Sequence, residues 1–379
     1  MKHSTERILT THTGSLPRPS DLVEKVVGHD QREVRADPAF DAQVKRAVSD
    51  IVHKQVGLGI DVVNDGEMSK RGFSVYITER VSGFDGPLRS RPPTIEAGMF
   101  PEFYAQVESP YELPTCNAPI VWSGDDFVKS DIANLKAALK GAAASDAFMS
   151  SVSPGQVCHS FVNEHYPSHE AYLFAVADAM GHEYRAIANA GIVLQIDSPD
   201  LCLSWGCAEY GNKTYADYRK LVAMHVAAIN HALKGIPPEQ VRLHLCWGNG
   251  ERPHVHDVPI AEIIDVVYGL NVGALLFEGA NPRHNHEWKI FKEHPLPEGK
   301  LIVPGVIDTL TNFVEHPELV AERIVRYAEI VGREKVMAGT DCGFSTRVNS
   351  RLRVHPTVTW AKLQSLAEGA KLASQRLWK

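Results

Sequence analysis

The 379-residue chain has few cysteines: six, at positions 116, 158, 202, 207, 246 and 342. None forms a CxxC pair and they are thinly spread, which argues against a disulfide framework and predicts a reducing, cytoplasmic setting. Long apolar runs are lacking too. No window approaches the ~20 residues that a membrane helix needs, and the start MKHSTERILTTHTGS holds no apolar segment resembling a signal peptide. No basic run is present, and the formal net charge of −7 argues against a nucleic-acid scaffold. Low-complexity tracts, internal repeats and flexible linkers are also missing. At 44% hydrophobic residues, the chain can bury a sizeable core.

What the sequence does contain is alternation. Eight apolar runs of strand length stand out: Ile8–Thr13, Ile60–Asn64, Phe148–Ser153, Ile192–Asp197, Val241–Trp247, Ala274–Glu278, Leu301–Ile307 and Lys335–Asp341. Between them lie helical patterns such as EAYLFAVADAMGHEYRAIANA and HPELVAERIVRYAEIVG, each followed by Gly or a short polar turn. Near-continuous apolar strands alternating with helices indicate a parallel sheet covered by helices. Eight such units predict an α/β fold, a closed (β/α)8 TIM barrel forming a single domain over residues 1–379. About eighty proline-rich residues separate the second and third runs. An insertion at about 83–123 is expected there, with APIVWSG as a strand of an inserted hairpin lying over the barrel mouth.

In such barrels the chemistry sits where strands end, and four residues there have zinc-ligand character: His244, Cys246, Glu278 and Cys342. Alternate residues of a strand point the same way, so His244 and Cys246 can aim an imidazole and a thiolate at one point. Zinc takes four ligands of this N, S and O type. His-x-Cys alone is a weak signal; the carboxylate and second thiol at later strand ends strengthen it. The pairs His254/His256 and His284/His286 share ligand-like spacing but fall in loops, as solvated residues or substrate contacts.

At these positions the chain resembles the catalytic domain of cobalamin-independent methionine synthase. The resemblance runs through TTHTGSLPRP, VVNDGE, QIDSPDL, LHLCWGN, LFEGANPR, PGVIDT and GTDCGFSTR, over nearly the whole length. It implies zinc as cofactor on His244, Cys246, Glu278 and Cys342, and homocysteine as the thiol, its polar head held by Ser15, Glu67 and Asp197. The implied partners are therefore a small-molecule thiol and an alkyl donor, with no nucleic acid, no membrane and no required partner chain. The implied reaction is alkyl transfer to a zinc-bound thiolate, such as methyl transfer from 5-methyltetrahydrofolate. Two departures bear on the donor: Leu310 stands where the family has a histidine in its seventh-strand motif, and SVSPGQVCHSFVN lacks the family's folate-stacking tryptophan. Asp308 keeps its place as the catalytic candidate, a proton donor or a support for the metal site.

The motifs HLCWGN, EGANPRHNHEW and VIDTLTNFVEHPE also resemble the epoxyalkane:coenzyme M transferases, which open an epoxide with a zinc-bound thiolate. That reading needs cations for a sulfonate, and Arg18, Arg283 and the nearby histidines are the candidates, although Glu67 and Asp197 would repel it. A non-catalytic zinc-binding protein is the alternative from another class. A metal-free decarboxylase of the uroporphyrinogen type is disfavoured by the complete ligand set.

Overall fold

A computed structural model describes residues 1–28, 37–91, 93–107, 112–346, 348 and 352–379. Among these residues eleven short strands occur in chain order: β1 (Val62–Val63), β2 (Val81–Ser82), β3 (Leu88–Ser90), β4 (Glu112–Pro114), β5 (Val121–Trp122), β6 (Asp146–Val152), β7 (Val193–Asp197), β8 (Val241–His244), β9 (Ala274–Phe277), β10 (Leu301–Ile307) and β11 (Gly339–Thr340). Seven of them build one curled parallel sheet in the order β1-β6-β7-β8-β9-β10-β11, consistent with a TIM-like barrel.

The expected first strand, Ile8–Thr13, makes only an isolated parallel bridge, Thr10 to Ala338. Thr10 O also accepts from Asp61 N–H and Val62 N–H, so this run has a neighbour on either side. Side chains replace ladder bonds in its second half. Thr13 N–H donates to Thr340 Oγ1, while His12 O and Thr13 O accept from Arg242 and Gln195. The other seven expected runs each hold a strand of the sheet, mostly trimmed at the ends.

The helices lie outside the sheet and are punctuated as the sequence suggests. Helix Tyr215–Ala232 starts with a capping box between Thr214 and Asp217, and helix His169–Asn189 is capped by Ser168. Most buried apolar residues belong to one large cluster. A second, smaller one gathers Val62, Phe148, Val193, Leu276 and Val303 from the strands, Leu9 from the Thr10 segment and Met337 from just before β11.

Next to this smaller cluster runs a buried polar layer. The Arg242 guanidinium lies 3.5 Å from the Phe148 ring centroid and bonds Gln195 Oε1, Thr11 Oγ1 and His12 O. Burial brings its pKa down to about 9.

Between β1 and β6 the chain forms two short antiparallel pairs, β2 with β5 and β3 with β4, flanking helices Ile95–Met99 and Pro101–Val107. This segment reaches the loop after β8: the Glu96 carboxylate accepts from the backbone N–H groups of His254 and His256. Among the described residues no helix is long and apolar enough to cross a membrane.

Candidate metal centre and substrate site

Ligand atoms of His244, Cys246 and Cys342 all lie within 4.8 Å of one another, and all three residues are buried. The strands explain the convergence. His244 ends β8, and the Leu245 N–H bond to Leu276 O carries the ladder one step further, so Cys246 emerges beside it. Cys342 follows β11 by two residues. The two sulfurs are 3.9 Å apart. Two sulfurs at ~2.3 Å from a tetrahedral ion stand ~3.8 Å apart, so the pair is spaced for a shared zinc. Cys246 Sγ also accepts the Gly248 N–H at 3.2 Å, a bond that favours a thiolate.

Both His244 nitrogens face acceptors, Nδ1 with Asp197 Oδ1 and Nε2 with Asp341 O, each at 3.3 Å. Burial opposes its charge, but Asp197 and Cys246 prevail and push it up to about 10 without an ion. The neighbouring Cys342 sulfur, and then burial, push the Cys246 thiol well up. Metal binding would displace these protons, since zinc binds thiolate and neutral imidazole.

Glu278 stands just outside the three-residue group. Its Oε1 accepts the Trp247 N–H at 2.8 Å and its Oε2 the Asn281 amide at 2.7 Å. It lines a small cleft together with Cys342, Asp341, Asp308 and Thr309. Asp308 holds its own turn: Oδ1 accepts the Leu310 N–H and Oδ2 the Thr311 N–H and hydroxyl.

Ser15 follows the N-terminal run, and Glu67 follows β1. Phe344 N–H donates to Ser15 O and Ser345 N–H to Ser15 Oγ, which ties the N-terminal run to the segment after Cys342. Gly343 is required there, since a Cβ on it would fall 2.2 Å from Ser15 Oγ. Glu67 adopts φ +57°, an unfavourable left-handed conformation for a side chain of this size. Arg18 holds it there by donating to Glu67 O from Nε and Nη2, and its remaining bonds go to Lys70 O and Ser345. Glu67 Oε1 accepts from the Ser150 hydroxyl, while Oε2 is buried without a hydrogen-bond partner among the described residues. Burial pushes its carboxyl up to about 7, with nearby Asp197 adding to the rise. Asp197 Oδ1 accepts from Gln195 Nε2 at 2.7 Å and faces His244.

The loop histidines have other duties. His284 bridges Asp257 and Glu287 and stacks on Trp247 at 4.1 Å, while His254 bonds Asp257. Arg283 is exposed.

Reading residues alone leaves Asp341 as one more strand-end carboxylate, yet it organises the centre. Its oxygens accept from the backbone N–H groups of Gly279, Ala280 and Asn281, fixing the turn after Glu278. Burial and the Glu278 charge push it up to about 7. The signal was its position, directly after β11 and before Cys342.

Residues 8–362 match the family described as the catalytic domain of cobalamin-independent synthase. A methionine synthase from Saccharolobus islandicus is 25% identical over 97% of this chain and 95% of its own length. One from Sulfurisphaera tokodaii is 24% identical over 97% and 93%. Among solved structures, a B12-independent methionine synthase from a Shewanella species, in complex with selenomethionine, superposes with a TM-score of 0.75 at 20% identity, covering 98% of this chain and 99% of that one. A putative vitamin-B12-independent methionine synthase from Listeria monocytogenes gives 0.64 at 19% identity, over 96% and 98%. With the family matched across nearly its whole length, this chain belongs to the cobalamin-independent synthase catalytic-domain family.

Proposed function

We propose that the protein is a zinc-dependent thiol S-alkyltransferase, most directly a methylase of homocysteine, built as a single (β/α)8 barrel with the Ile8–Thr13 run as first strand and an insertion at about 83–123. The observation that carries this reading is the trio His244, Cys246 and Cys342, with its sulfurs at zinc-like spacing. Glu278 is the exchangeable fourth donor, tethered close by on Trp247 and Asn281. When bound, zinc supplies a place for the substrate sulfur to lose its proton and remain nucleophilic near neutral pH.

The chain's own residues then position the thiol. An ammonium group between Glu67 and Asp197 satisfies the orphaned Glu67 Oε2 and offsets two buried carboxylates. The Gly14-Ser15 turn offers polar groups to the substrate carboxylate. A strained, buried and unsatisfied carboxylate serves a ligand rather than the fold. This favours a catalytic or binding role over a closed, purely structural zinc site. In the transfer step the substrate sulfur forms a bond to the donor's methyl carbon. The bond from that carbon to its nitrogen breaks, the electron pair stays on nitrogen, and a proton joins it. Asp308, which lines the same cleft as Cys342, is the candidate source of that proton or the anchor of the turn that lines the cleft. 5-Methyltetrahydrofolate is the leading methyl donor.

The coenzyme M reading loses support because Arg18 spends its donors on backbone carbonyls and Ser345, leaving none for a sulfonate. The test is X-ray absorption at the zinc edge, with homocysteine and separately with coenzyme M. One added sulfur with homocysteine alone is the expected result. Added sulfur only with coenzyme M moves the function to epoxide opening, and an absence of zinc refutes the mechanism.

A further inference from the structure

Outside this centre, a second group of metal-ligating side chains lies between helices His169–Asn189 and Tyr215–Ala232, which pack together. His225, on the second helix, is buried, and its Nδ1 lies 2.7 Å from Asp200 Oδ2. Asp200 is fully buried, and its other oxygen accepts the hydroxyls of Ser153 and Ser198. With one oxygen on His225 and the other taking two hydroxyl donors, the Asp200 carboxylate is placed to accept the His225 Nδ1 proton. An anion at Nδ1 fixes the proton there and turns the lone pair of His225 Nε2 outward. That lone pair meets Nε2 of His169, an exposed residue at the first position of its helix, at 3.0 Å.

The arrangement is built into the backbone. A Cβ on Gly155 would fall 2.1 Å from Asp200 Oδ2 and 2.4 Å from His225 Nδ1, so only glycine admits the Asp–His pair. Two imidazole nitrogens facing each other share one proton, and a metal ion can take that proton's place. Nitrogens at ~2.0–2.1 Å from a tetrahedral ion stand ~3.3 Å apart, a few tenths of an ångström beyond the observed gap. His169 is exposed and can yield that distance.

We propose that His169 and His225, with Asp200 orienting His225, form a second, solvent-accessible site for a borderline divalent cation such as Zn2+, the other coordination positions being filled by water. Asp200 here fills the carboxylate–histidine–metal role that raises ligand basicity. This site is independent of the alkyl-transfer reading: it uses no residue of the first centre and stands or falls without it.

The test is calorimetric titration of the zinc-loaded protein with Zn2+ alone. The wild type is expected to take one additional equivalent, His169→Ala to lose it or bind it at least tenfold more weakly, and His169→Asp to recover part of the affinity. X-ray absorption on the doubly loaded wild type supplies a readout that needs no variant. The added ion should show imidazole and oxygen neighbours without sulfur. No additional equivalent in the wild type, equal binding by His169→Ala, or sulfur around the second ion would each overturn the assignment.

Discussion

Glu67 gives the sharpest test of how the substrate head is held. Its carboxyl, pushed up to about 7 by burial, is partly protonated near neutrality, and only the anion attracts an ammonium. For a group titrating at about 7, the ionised fraction rises from roughly one-tenth at about pH 6 to roughly nine-tenths at about pH 8. A ligand that needs the anion therefore binds roughly tenfold more tightly at the higher pH. Methionine is the right probe for calorimetry, because it carries the same head without a thiol that releases a proton. Glu67→Gln keeps the shape and loses the charge. Hydrogen bonds to charged groups are worth ~1.5–3 kcal/mol, so binding should weaken about 10- to 150-fold and lose most of its pH slope. The sign for stability runs the other way. The folded state holds this proton where the unfolded chain, with its carboxyl near 4.5, has released it. Ligand-free protein should thus lose stability as pH rises from about 4.5 through about 7. A wild-type affinity flat between the two pH values, or an unchanged slope in Glu67→Gln, would refute the reasoning.

Four further outcomes are expected. Apparent zinc affinities of ~10–16 kcal/mol shared among four donors give about 3 kcal/mol each, so Cys342→Ser should weaken zinc roughly 100-fold in chelator competition. Glu278→Ala should cost less than about tenfold, because the carboxylate already rests on Trp247 and Asn281; equal losses would contradict its role as the exchangeable ligand. Asp341→Asn turns an acceptor into a donor against the Asn281 N–H and amide, leaving buried groups unmatched at about 1–3 kcal/mol, seen as a lower thermal midpoint. Gly305→Ala would place a Cβ 2.1 Å from Asp341 Oδ1 and 2.7 Å from its backbone; overpacking of this kind costs ~1–3 kcal/mol, and a variant of unchanged stability would refute the close approach.

How much of this was legible follows from what each signal depends on. His244 and Cys246 converge because strand periodicity is local, and Cys342 joins them because every parallel strand ends at the same face. Strand-length apolar runs likewise located the seven members of the sheet. The Ile8–Thr13 run, expected as a full strand, makes only a bridge for a physical reason: the backbone of its second half is satisfied by the buried side chains of Arg242, Gln195 and Thr340, which lie far away in sequence. Arg18 was misleading in the same way. A cation near a binding site suggests an anionic ligand, but this one holds the backbone of a left-handed glutamate.

That pairing of Arg18 with Glu67 indicates how the site is stabilised. A left-handed glutamate is strained by about 1–3 kcal/mol, and an unpaired buried carboxylate oxygen adds a desolvation cost of similar size. Arg18 offsets the first by fixing the Glu67 carbonyl, yet nothing among the described residues satisfies Oε2. Asp341 fixes the turn after Glu278 through three backbone N–H bonds, and so restrains that turn independently of any ligand. The turn after Glu278 is therefore satisfied in advance, while Glu67 is left short of a donor. The missing donor on the Glu67 side is what a cationic substrate head would supply. Binding the head would then relieve a cost that the empty fold carries, so ligand-bound protein should gain more thermal stability from methionine in the wild type than in Glu67→Gln.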